Sequence, residues 1–245
     1  MDFVWIYVAR DSSFYKCGLF NELEYSIKSV HKMYHGDVRC FVIGDDPKLK
    51  DVIHIDSPRT YETSQPRHND QMIKFEKIWG SDIGDEFVLM YDDVYLLQPT
   101  TKEDLQIVYA KAEVDDPAEY VKTRTGTPPY KRYWLSTYDY IKTDRDIRRL
   151  KTYDWETHLP RLYNKDKIKG IIDKFNLRNV PRLPYSLYAS QYAKETLVMP
   201  DDLQSDLWTH KPGMDFEVEF SKKYMNIYDN VIIPEFILKM KNHMA

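Results

Sequence analysis

Apolar and polar positions change period several times along the chain, and each change marks an element. Residues 3–9 (FVWIYVA) are apolar almost without interruption, as in a strand covered on both faces. Arg10, Asp11, Ser12 and Ser13 end that run. From Asn21, a good helix cap, Leu23, Ile27, Val30 and Tyr34 recur at helical spacing and predict a helix to Met33. Residues 38–43 predict a second strand, closed by Gly44, Asp45, Asp46 and Pro47, and residues 52–55 a short third. Residues 69–79 read as a helix, with Met72, Phe75, Glu76 and Trp79 defining its faces, and residues 87–90 as a fourth strand. Strands alternating with helices in this way predict an α/β layer fold with crossover connections.

The second half is less regular. Residues 107–110 predict a strand and 122–131 (KTRTGTPPYK) a loop, by its Gly-Thr-Pro-Pro content. A helix is expected over 133–150, an extended stretch over 153–159, and helices over 165–175, 184–195 and 234–242. No repeat, low-complexity tract or linker interrupts the chain. The expectation is a single compact domain whose mixed, mainly parallel sheet is flanked by helices. Residues 1–100 would form a ligand-binding α/β half, and residues 101–245 the half that closes it.

Composition narrows the picture. At 245 residues, 42% apolar and 30% charged, the chain can bury a sizeable core and stay soluble. No stretch reaches the ~18 uninterrupted apolar residues of a membrane span, and MDFVWIYVAR lacks the basic start of a signal peptide. A net charge of −4 argues against broad capture of nucleic acid. Cys17 and Cys40 are too few for a disulfide framework or a zinc site, and a reducing cytoplasm is the expected location.

The chemistry concentrates in residues 87–99 (FVLMYDDVYLLQP). A buried run is broken there by two adjacent carboxylates, Asp92 and Asp93, each costing several kcal/mol unless paired or bound to a cation. Ligands of open α/β sheets bind at the carboxyl ends of such strands, so a metal or a metal-bound diphosphate is expected here. A strand-to-turn junction is the ordinary alternative, but the apolar pattern resumes at Val94 with no Gly or Asn to make the turn. Ala9 and Arg10 sit at the end of the first strand. Arg67 precedes a helix N-terminus that could take an anion, while Asp70 and Lys74 lie one helical turn apart and can face one ligand or simply pair. In YDWETHLPRLY, alternation would place Asp154, Glu156 and His158 on one face and Trp155, Thr157 and Leu159 on the other. Lys122, Arg124, Lys131 and Arg132 flank the Pro-rich loop, as a lid over an anion or as a solvated charged loop.

These motifs together resemble a known family. The helix opening NELEYSIKSV, the strand-turn CFVIGDD and the segment FVLMYDDVYLLQP are similar to the nucleotide-sugar-binding half of GT-A glycosyltransferases. More narrowly they resemble the Stealth-type capsular polysaccharide transferases, through Asn21, Glu22, Leu23, Tyr25 and Ser26, through Asp92 to Leu96, and through His158 with Pro160. At the first strand the chain departs from the Stealth pattern, with Ile6 to Arg10 in place of a Thr-Trp-Val-Asp-Gly segment. The resemblance implies a GT-A-like (Rossmann-like) fold and a metal-dependent glycosyltransferase. Its donor would be a nucleotide sugar, and its acceptor a hydroxyl of a glycan or of a modified DNA base. It further implies Mn²⁺ or Mg²⁺ held by Asp93 with His158, and Asp92 at the ribose or bound to the metal through water. His210 in WTHKPG, similar to the His-Lys-Pro element of glycogenin-like enzymes, is the second choice as ligand. Donor contacts fall to Ala9, Arg10, Arg67, Asp70, Lys74 and Asp92. Glu156 or Asp154 would serve as general base in an inverting mechanism. Sugar-phosphate transfer and a non-catalytic binding module of the same fold are the alternatives.

Overall fold

The computed structural model describes residues 1–11, 20–59, 66–124, 126–143, 151–207, 214–228 and 231–245, apart from the side chains of Arg10, Pro66 and Arg67. Strands β1 (Asp2–Tyr7), β2 (Arg39–Gly44), β3 (Ile53–Asp56), β4 (Glu86–Met90) and β7 (Arg161–Asn164) form one sheet in the order β3-β2-β1-β4-β7. β2 and β4 flank β1, both parallel to it, and β3 runs parallel to β2. Phe3, Val4, Trp5, Phe41, Val42, Ile43, Phe87 and Val88 have no surface exposed. Both faces of the central strands are therefore covered, which is why their sequences run apolar instead of alternating. From β1 the chain winds outward through β2 and β3, then returns to the other side of β1 as β4. The order reverses between β1 and β4, and their carboxyl ends bound the crevice that such a reversal opens.

Helix α1 (Glu22–Met33) begins where its capping signal puts it: Asn21 accepts a hydrogen bond from the Glu24 amide at 3.2 Å. Its buried face carries two serines. Ser26 Oγ accepts from Trp5 Nε1 at 2.9 Å and donates to the Val94 carbonyl at 2.6 Å. Ser29 Oγ accepts from the Leu96 amide at 3.0 Å and donates to the Ser26 carbonyl at 2.7 Å. These bonds fasten β5 (Val94–Leu96) to the helix. β5 leaves the large sheet and joins β9 (Gln204–Leu207) and β10 (Tyr224–Ile227) in the order β5-β10-β9, with β10 antiparallel to β5 and parallel to β9. Tyr95, Phe220, Met225 and Phe236 close a core over this small sheet. Helices α2 (Pro66–Trp79), α3 (Lys102–Gln106), α8 (Phe216–Phe220) and α9 (Pro234–Met244) complete this part of the chain.

The remaining elements are β6 (Val108–Ala110), α4 (Pro117–Thr123), α5 (Pro128–Thr143), α6 (Lys165–Lys174), α7 (Pro184–Tyr192) and β8 (Thr196–Val198). β6 and β8 pair in parallel. Where the sequence shows no linker and suggests one compact domain, the structure divides into two compact units: residues 1–106, 158–163 and 200–245, and residues 107–157 and 164–199. The division escapes a compositional reading because the chain passes between the units in short crossings without Gly- or Ser-rich sequence. The expected loop over 122–131 is mostly helical: α4 runs to Thr123 and α5 starts at Pro128, a residue suited to a first helical turn. No described helix is long and apolar enough to cross a membrane.

Replacing Ser26 with Ala should lower stability by about 1–3 kcal/mol, since Trp5 Nε1 loses its buried acceptor. Urea denaturation followed by tryptophan fluorescence measures this.

Candidate functional site

β4 ends at Met90 and the chain turns at once: the Val94 amide donates to the Tyr91 carbonyl at 3.2 Å, closing a four-residue turn around Asp92 and Asp93. The two aspartates thus occupy a turn between strands of different sheets. The turn lies at the carboxyl end of β4, beside the crevice. Glycine is dispensable there because the two serines of α1 hold the following strand in place.

Asp93 is the centre of the arrangement. Part of the residue reaches solvent, but its carboxyl is packed round by protein, and this loss of hydration pushes its pKa up to about 7. A hydrogen bond from Asn226 works against the shift, while the charges of Glu22 and Asp206 add to it. No described cation pairs with it. Glu22 is buried in the first turn of α1, and Asp206 lies on β9 in register with Asn226 of β10. Tyr95 is fully buried, its Oη makes no hydrogen bond with any described residue, and desolvation together with Glu22, Asp93 and Asp92 raises its pKa far above the usual value.

Asn226, itself fully buried, connects this acid to an imidazole. Its Nδ2 donates to the Asp93 carbonyl at 3.3 Å, and its Oδ1 lies 3.1 Å from His158 Nδ1. The orientation of the amide follows, because the flipped form would set Oδ1 against a carbonyl oxygen. Nδ1 of His158 must then carry the proton, which makes Nε2 the lone-pair nitrogen of the neutral ring. His158 is further held by ring contacts with Tyr91 and Tyr228, at 5.9 and 6.3 Å between centroids, and its carbonyl accepts from Gln204 at 2.8 Å. Arg161 of β7 lies over the Tyr91 ring at 5.3 Å.

Among the described residues no three His, Cys, Asp or Glu side chains converge as a metal cluster. The donor set nevertheless fits a hard divalent cation whose shell is completed by a ligand. It offers a carboxylate without a cationic partner among the described residues, further acids around it and an imidazole oriented through Nδ1.

The expected ligand contacts separate. Ala9 is held in place by its amide, which donates to Asp45 Oδ2 at 2.8 Å. Asp70 and Lys74 face each other: Lys74 Nζ lies 2.6 Å from both Asp70 oxygens, with the lysine fully buried and its pKa lowered by that burial. Arg59, absent from the sequence expectations, joins them with Nε 3.0 Å from Asp70. The signal for it was weak, a single arginine next to a proline. His210 lies outside the described residues, as do the side chains of Arg10 and Arg67.

The stretch holding Asp154, Glu156 and His158 does not alternate. Thr157 donates to the Trp155 carbonyl at 2.8 Å, a tight turn that breaks the extended pattern. His158 belongs to the first unit, and Asp154 and Glu156 to the second. There Asp154 is fully buried, in an ion pair with Arg124 and hydrogen-bonded at 3.2 Å by Trp134 Nε1, by the Tyr120 hydroxyl and by the Glu156 amide. Glu156 Oε1 accepts from Ser186 at 2.6 Å.

With this geometry in place, comparison with solved structures is informative about the fold. The bifunctional glycosyltransferase WbbM, in its apo form, matches over 100% of this chain and 49% of its own, at 9% identity and a TM-score of 0.51. The fold is GT-A-like. Two further matches are the galactosyltransferase LgtC in complex with donor and acceptor sugar analogues (TM-score 0.48, 9% identity, 100% of this chain and 95% of that one) and mouse xyloside xylosyltransferase 1 in its apo form (0.43, 9%, 92% and 97%). No protein-family model matches the sequence, and no curated protein sequence does.

The buried acid sets a pH dependence. Between the ordinary carboxylate value of 3.8 and about 7, the folded chain keeps a proton that the unfolded chain has released. Stability should therefore fall as pH rises through that window, by about 1–3 kcal/mol once the partial exposure of Asp93 is allowed for. Asp93→Asn should flatten this decline, as read by thermal melts from pH 4 to pH 8. In the second unit, Asp154→Asn should cost about 3–5 kcal/mol by leaving Arg124 buried without its counter-ion, as read by urea denaturation.

Proposed function

We propose that this chain is a metal-dependent glycosyltransferase that transfers a sugar from a nucleotide-sugar donor to an acceptor hydroxyl. The supporting observation is Asp93, a carboxyl packed round by protein with no cationic partner among the described residues, at the carboxyl end of a parallel strand in a GT-A-like sheet, linked through Asn226 to the oriented ring of His158. Asp93 and His158 would hold the cation, with Asp92 contributing through water or at the ribose. When bound, Mn²⁺ or Mg²⁺ neutralises the charge that develops on a diphosphate leaving group, and an imidazole ligand favours Mn²⁺. Asn226 fixes the tautomer that presents Nε2, and Glu22 and Asp206 raise the local demand for positive charge. The nucleoside would lie along the Ala9–Asp11 turn at the end of β1, where Asp11 offers an acceptor to a hydroxyl or N–H. The acceptor is the hydroxyl of a glycan or a modified nucleobase. Asp154 is committed as the counter-ion of Arg124, which removes it as a candidate base.

Thermal shift assays with nucleotide sugars, with Mn²⁺ or with EDTA, test the proposal. At a hundredfold excess over its dissociation constant, a donor should stabilise the chain by about 2.7 kcal/mol with the metal, and by much less without it. Asp93→Asn should abolish the metal-dependent part, His158→Ala should weaken it, and Asp92→Asn should weaken it less than Asp93→Asn. Equal tolerance of all three would refute the assignment. A product whose mass shows a new phosphodiester would replace sugar transfer with sugar-phosphate transfer.

A further inference from the structure

At the carboxyl ends of β1 and β2, charges of alternating sign run outward from the core. Lys74 on α2 is fully buried and bonded at 2.6 Å to both oxygens of Asp70, which is 4% exposed. Asp70 Oδ2 also accepts from Arg59 Nε at 3.0 Å, and Arg59, 10% exposed, reaches on through Nη1 to Asp11 Oδ2 at 2.5 Å. Only Asp11, at 43%, is open to solvent. Gly44 makes room for this arrangement. A Cβ there would lie 3.1 Å from Lys74 Cε and 1.9 Å from the Tyr7 carbonyl oxygen, at a φ of +140°. The next residue, Asp45, holds the other end of the same turn through the Ala9 amide.

We propose that Arg59 is a positioning residue: backed by Asp70 and Lys74, it fixes the Asp11 carboxylate so that its remaining acceptor capacity meets a hydroxyl or N–H of the donor's nucleoside. The assignment rests on the nucleotide-sugar reading above. A buried guanidinium with two carboxylates on separate nitrogens can turn neither way, so Asp11 inherits the rigidity of α2 although it sits at a strand end. Lys74 contributes by holding both Asp70 oxygens, which fixes the carboxylate that anchors Arg59. The ion pair expected at a ligand therefore acts one step behind it.

Calorimetric titration with UDP, GDP, ADP and CDP in the presence of Mn²⁺ tests this in the parent, Asp11→Asn, Arg59→Ala, Arg59→Lys and the Asp11→Asn/Arg59→Ala double variant. Folding is checked by circular dichroism. Asp11→Asn and Arg59→Ala should each weaken the bound nucleotide about tenfold. The double variant should be no weaker than either alone, because both act through one carboxylate, and Arg59→Lys should recover part of the loss. A loss common to every nucleotide that binds identifies a ribose hydroxyl as the partner, and a loss confined to the preferred one identifies a ring N–H. Additive losses in the double variant, or wild-type affinity in Arg59→Ala, would overturn the proposal while the nucleotide reading stands. A parent that binds none of the four nucleotides overturns both. Asp11→Asn changes an exposed group, so it reports even if Arg59→Ala proves too unstable to assay.

Discussion

Two hydroxyls on one helix decide where the chemistry of this chain can be. Ser26 and Ser29 of α1 take the backbone of Val94 and Leu96 as partners at 2.6 and 3.0 Å, and Ser26 also receives the indole of Trp5 from β1. Each bond is ordinary in strength, but all are buried, so none can be exchanged for water without cost. Together they clamp the Tyr91–Val94 turn between a helix and the central strand. The turn needs no glycine because the strand after it is already fixed. Asp93 is consequently held where hydration is poor, and a carboxyl that would choose solvent if free is kept next to Glu22 and Asp206.

The same unit shows how differently buried acids can be treated. Asp70 is more completely buried than Asp93 but has Lys74 and Arg59 on its oxygens. Around Asp93 there are an amide, further acids and a phenol without a hydrogen-bond partner among the described residues. Desolvation is common to both, and the difference lies in the counter-charge. A chain under selection for stability alone would neutralise Asp93 as it neutralises Asp70. Among the described residues its charge is uncompensated at the reversal of strand order, which is the ground for the proposal that its partner arrives with a ligand.

Much of the first hundred residues was legible because both periodicity and capping speak there. The apolar runs of β1, β2 and β4 and the Asn21 cap place their elements to within a residue or two. The adjacent Asp92 and Asp93 in an apolar run pointed to the carboxyl end of β4, where the structure places them in a turn. What stayed hidden was set by distant contacts. β5, β9 and β10 have three or four residues each, too few for a period, and exist because they pair with one another. Asn226 orients His158 across 68 residues of sequence, and Arg59 finds Asp11 across 48. Spacing within a segment misled in YDWETHLP, where an extended pattern was assumed and a local turn at Thr157 sends neighbouring residues to different units.

The two acids of that segment complete the contrast. Asp154 is fully buried, and the sequence offers it beside Glu156 as a candidate base. Its oxygens meet Arg124, Trp134, Tyr120 and the Glu156 amide, so every donor a carboxylate could want is supplied from within the unit. Such an acid is committed to its neighbours within the unit. Asp93 has amide donors and no cation among the described residues, and burial raises its pKa to about 7, so binding a cation or releasing a proton changes its energy substantially near neutral pH. Burial marks both residues as unusual, and the identity of the neighbours separates the acid paired within its unit from the one proposed to take a ligand.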